Sequence, residues 1–267
     1  MSLILSHGSV GEAGIRLLKR LRKGDRQELH DLLISVALRG EDEHGLAIRE
    51  QIAVEGGRIA ERVYALARDH AGEQPEPFGI VLANHFVERL AGVGAAVIEI
   101  EEHGWSRVTV SGRPRDRAFA GAAAERRTTV VRRVGTTLEV NAGFRDLPIL
   151  RVSSELSPVD AGTLTASWRY GWTDVPFGLH WQQVREVVLE SFADSGECTV
   201  QHTIEAMAHA ALEQCPAIAE LQLDVRAGSY RPADLSRFGM SGTDDLLIPY
   251  DEPQTLTTVT VRRDESR

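Results

Sequence analysis

Residues 184–208 read VREVVLESFADSGECTVQHTIEAMA, and two side chains in that run have the shape to hold a flat polar ring. Arg185 offers a planar guanidinium with donors in a fixed fork, and Gln201 an amide that both donates and accepts. The break Ser195-Gly196-Glu197-Cys198 makes Val200 and Gln201 the opening of a helix, where the first N–H groups have no partner inside the helix. This is a kit for a hydrogen-bond-rich heterocycle. The same residues also read as a surface pair between Arg185 and a nearby Glu, with Gln201 filling a first turn.

Other candidates carry less chemistry. Gly56-Gly57 precedes a helix but matches neither the dinucleotide fingerprint nor a P-loop, so a flexible helix entry is the plainer reading. His202 and His209 stand seven apart on one helical face, roughly 10 Å along the axis. Bonds of about 2 Å to zinc could not span that distance, and no metal site is expected. There is no G-x-S-x-G elbow for a hydrolase.

Of the 267 residues, 39 are Asp or Glu against 30 Lys or Arg, a formal charge of −9 that argues against binding nucleic acid or anionic membrane. The 42% hydrophobic content suits a globular core. Two unpaired-looking cysteines, Cys198 and Cys215, and no signal-like or spanning segment point to a reducing cytoplasm.

The elements that must position the kit repeat one plan twice. Strands are expected at Ala13–Lys23 and Glu28–Arg39 around a GDRQ turn, then helices at Arg58–His70 and from Pro75, with the stripe Phe78, Leu82, Phe86 and Leu90. Strands at 95–101, 105–112 and 126–134 follow. The second half offers strands at 147–153 and 163–172, helices at 175–193 and 200–215, and strands at 219–226 and 255–263. The boundary falls in the turn-rich stretch 135–143, giving units 1–138 and 139–267. Two antiparallel sheets, each covered by a helix pair, make an α+β architecture.

The motifs PEPFGIVLANHFVERL (75–90), AAVIEIEEHGWSRV (95–108), the run 184–208, HDLLISVALRG (30–40) and TLTTVTVRR (255–263), in that chain context, resemble the urate oxidase family. The resemblance implies two tandem tunnelling-fold (T-fold) units, each a four-stranded antiparallel sheet with two helices, closing into barrels as a homotetramer. It implies cofactor-free oxidation of urate by molecular oxygen. The family's ring-clamping arginine and glutamine are placed on Arg185 and Gln201, with the backbone N–H of Val200 as a third contact.

The rest of the family site is replaced. Its Thr-Asp pair falls on Gly56 and Gly57, its relay lysine near Ser9, its stacking aromatic near Ser157 and its oxygen-site asparagine near Ser236, with Phe238 where some members carry histidine. A base would then come from His7, Glu55, Arg58 or His180. The expectation is an oxidase of urate or a related heterocycle. The alternative is a silent or repurposed member of the fold that binds a purine-like ligand or acts structurally.

Overall fold

The computed structural model describes residues 9–24, 26–40, 58–152, 160–196, 198–240 and 246–264. Gly56, Gly57, Ser157, His7 and Glu55 lie outside them. The first half runs β1 (Ser9–Lys23), β2 (Arg26–Gly40), α1 (Ile59–His70), α2 (Pro75–Arg89), β3 (Val93–Val110) and β4 (Arg113–Val134). The second runs β5 (Thr137–Arg151), β6 (Asp160–Tyr170), α3 (Phe177–Asp194), α4 (Val200–Gln214), β7 (Ile218–Pro232), a 3₁₀ turn (Ser236–Phe238) and β8 (Leu247–Arg262). The order ββααββ thus occurs twice.

The two expected four-stranded sheets are joined edge to edge. β4 pairs with β5 from Arg126↔Arg145 to Val134↔Thr137, making one antiparallel sheet in the order β1 to β8. The stretch 135–143, expected as a turn-rich boundary, is mostly β5, with only Gly135 and Thr136 left in the hairpin. Its strand character is disguised by Gly143, where a Cβ would stand 2.2 Å from the carbonyl oxygen of Ala166 on β6. Only glycine permits that approach. The separate strands expected at 95–101 and 105–112 are one strand, β3, bulged between His103 and Trp105.

All four helices lie on one face. Alternate strand residues Ile34, Ile98, Val131, Phe144, Leu164 and Leu223 point into the layer between sheet and helices, each essentially buried. α2 fills this layer with Phe78, Leu82 and Phe86, all fully buried, each contributing about 2–3 kcal/mol of burial. Pro75 opens α2 at a position where its missing N–H costs nothing. The opposite sheet face carries Glu99, Glu101, Arg132, Gln222 and Thr258, as an antiparallel sheet with one solvated side should. Among the described residues no helix is long and apolar enough to cross a membrane.

Candidate functional site: a cavity at the opening of α4

A cavity of about 300 Å³ lies where the first turns of α4 meet the sheet. Its floor is the end of β5 (Ile149, Arg151), the start of β6 (Ala161, Gly162), the middle of β7 (Val225, Ala227, Gly228) and Thr255 and Thr257 of β8. Its walls are Phe192 near the end of α3 and Cys198, Val200, Thr203, Ile204 and Met207 at the start of α4.

Local chemistry fixes this mouth. Thr199 caps α4, its hydroxyl accepting from the N–H of His202 at 3.3 Å. The N–H groups of Val200 and Gln201 have no acceptor within the helix, and the dipole makes this end attractive to an electron-rich ligand. Arg151 ties down the end of α3: it donates to the Ser195 hydroxyl at 2.8 Å and to the carbonyl oxygens of Ser195 and Phe192, with its guanidinium 5.4 Å from the Phe192 ring centroid. A cation at a helix C-terminus satisfies carbonyls that the helix leaves open. Thr203 is buried in the wall, and its Oγ1 has no hydrogen-bond partner. Cys198 is exposed at the rim, whereas burial pushes the Cys215 thiol up to about 11.

The expected clamp does not converge within one protomer. Val200 stands on the cavity wall, and Gln201 beside it is exposed, donating to Glu205 Oε1 at 2.9 Å. Arg185 lies elsewhere. It precedes the end of α3 by nine residues, about 13 Å along the axis, and turns toward β4, while α4 lies over β7 and β8. There its Nε and Nη2 donate to both carboxylate oxygens of Glu125 at 2.6 and 2.7 Å, a pairing that raises the arginine pKa further. The surface-pair reading of Arg185 describes this protomer.

Ser9 opens β1, one edge of the sheet, while the cavity sits over β5 to β8 at the other. Four to seven strand spacings separate them, roughly 20–35 Å along the sheet. Ser236 is exposed in the turn after β7, with its N–H donating to Asp234 Oδ1 at 3.0 Å, and neither it nor the exposed Phe238 lines the cavity. Of the candidate bases, Arg58 donates to Glu12 at 3.0 Å and helps fix the start of α1. His180 sits in the first turn of α3 against Tyr170, away from the cavity. Among the described residues no cluster of His, Cys, Asp and Glu could hold a metal ion.

Thr203, Met207, Ala161 and Arg151 line the cavity, and the sequence reading did not single them out as candidates. Their signal is faint: small side chains at buried helix positions, and an arginine where a strand ends.

A twice-repeated ββααββ sheet with its helices on one face defines the tunnelling-fold class. The sequence model of the uricase family matches residues 141–258, a span that contains every residue lining the cavity. The uricase of Arthrobacter globiformis is 28% identical, over 99% of this chain and 92% of that protein. That of Aspergillus flavus is 25% identical, over 95% of each. The solved uricase structure from A. globiformis superposes with a TM-score of 0.86 at 26% identity, covering 100% of this chain and 97% of that one. A Bacillus fastidious uricase shares the fold with a TM-score of 0.74 at 16% identity. Together these matches support the urate oxidase family for this chain.

Proposed function

We propose that the protein oxidises urate or a urate-like heterocycle with molecular oxygen, without a cofactor, the ring being held at the opening of α4. The observation that carries this reading is the cavity beside the Val200 and Gln201 N–H groups, lined wholly by residues inside the family match. Those N–H groups and the Gln201 amide would meet the carbonyl and N–H edge of the ring. An electron-rich ring anion is what molecular oxygen can oxidise, and a helix N-terminus favours that anion.

The second half of the site would come from another copy. Among the described residues β1 and β8 are long strands with one edge unpaired, which argues for strand-to-strand self-association into a barrel and a homotetramer. That assembly would carry one protomer's Ser9 toward another's cavity. In this reading 1–138 and 139–267 are the two units, and the protein works in the cytoplasm, where free Cys198 and Cys215 persist. Arg185 joins the clamp only if it leaves Glu125.

That ion pair favours a second reading, a ligand-binding member without turnover. An oxygen electrode separates the two. Uptake with urate or a related oxopurine supports the oxidase; tight binding without uptake from any of a panel sinks it. In the second case Gly56→Thr with Ser9→Lys tests whether restoring the family's residue types brings oxidation with it.

A further inference from the structure

The cavity has more room and less polarity than a bare oxopurine requires. A ligand edge held by the N–H groups of Val200 and Gln201 would engage only its rim. Behind the rim lie Ile149, Phe192, Ile204, Met207 and Val225, an apolar wall with one buried polar exception, Thr203. Thr203 borders the cavity, but its Oγ1 has no surface open to it, so the wall is apolar there too.

The two halves show that this emptiness is particular to one place. Counted from the first residue of the second helix, Pro75 in α2 matches Val200 in α4, so Phe78 corresponds to Thr203 and Phe86 to Ala211. Where the first half seals its layer with two phenylalanine rings, the second half places a threonine and an alanine. The space that results opens beside the proposed ring site rather than in an isolated part of the core.

We propose that the cavity receives a substituent of the substrate: the ligand is a urate-like heterocycle carrying an apolar side group, which packs against Phe192, Ile204 and Met207. This rests on the reading of the α4 opening as the ring site. Ala161 and Gly162 keep the β6 side low enough for the group to enter.

Calorimetry on the whole protein tests it, with urate and with N-methyl to N-butyl oxopurines substituted at each ring nitrogen. For at least one ring position, affinity should rise roughly fourfold for each added methylene until the space is full. The butyl-to-urate affinity ratio should collapse toward one in Ala161→Leu, and also in Ala227→Val, which serves if the first variant folds poorly. If urate binds but every substituted ring binds more weakly, the substituent site is wrong and the ring site stands. If the ratio survives both filling variants, the chain goes elsewhere and the proposal fails. If neither urate nor any substituted ring binds, the ring site itself is wrong and the inference falls with it.

Discussion

The two halves follow one plan and end in opposite states at the same place. In the second residue of α2, Glu76 is fully buried, and both of its oxygens accept from Arg127 Nη2 at 2.9 and 2.7 Å, with the guanidinium 5.1 Å from the Trp181 ring centroid. The second residue of α4 is Gln201, exposed at the rim of a cavity. α2 also sits close on β4: a Cβ at Gly79 would stand 2.8 Å from Val131 Cγ2. One copy of the plan was filled and locked; the other was left with space and free donors. A repeat that keeps its backbone can thus specialise through four or five side chains.

The sharpest way to break this contrast is to unlock the first half. Arg127→Met strands a fully buried carboxylate at Glu76, and about 3–5 kcal/mol of stability should be lost in urea unfolding. Glu76→Gln in the same chain should return much of it. A loss below about 1 kcal/mol for Arg127→Met would mean that the pair does not lock this half.

Next in size is truncation at the matched position. Phe78→Ala empties a close-packed site and should cost about 3–5 kcal/mol. Thr203→Ala borders existing space and removes an unpartnered hydroxyl, so it should stay within about 0.5 kcal/mol of wild type. Equal losses would deny that the second half is under-filled.

The same contrast explains what the sequence could and could not disclose. α2 was legible because Pro75 announces its start and Phe78, Leu82 and Phe86 repeat at helical spacing. The first part of β5 was not, because Gly143 looks like a breaker until the Ala166 carbonyl beside it is known. The opening of α4 was readable as a donor-rich helix end, since that follows from local backbone chemistry. The cavity behind it was not, because part of it is missing volume at Thr203, which shows only when α4 is matched to α2 and set on its sheet. The partner of Arg185 was hidden for a related reason: Glu125 is sixty residues away in the chain and comes near only through the fold.

Arg185 and Gln201 give a smaller test of how the open half works. Arg185→Met removes a partly exposed ion pair and should cost about 1 kcal/mol, with urate affinity changed less than about twofold. Gln201→Ala should leave stability nearly untouched and weaken urate binding by roughly tenfold, the worth of a well-placed hydrogen bond. The reverse ordering in calorimetry would put Arg185 back into the clamp and require it to leave Glu125 when ligand arrives.

The smallest effect lies on the polar side of the first half. Asp31, 4% exposed, accepts from Arg16 Nε and Nη2 at 3.0 and 2.8 Å and from Trp105 Nε1 at 3.2 Å. The Arg16 hydrogen bonds hold its carboxyl below the ordinary carboxylate value, with help from Trp105. A depressed folded-state pKa means that the unfolded chain takes up the proton first. The stabilisation is therefore complete above about pH 4–5 and disappears as pH falls through the folded value. Asp31→Asn keeps the shape but loses the charge, so its stability deficit should be constant from pH 8 to about pH 5 and shrink below about pH 4. A deficit that stays constant down to about pH 2 would show that the residue acts by shape and hydrogen bonding alone.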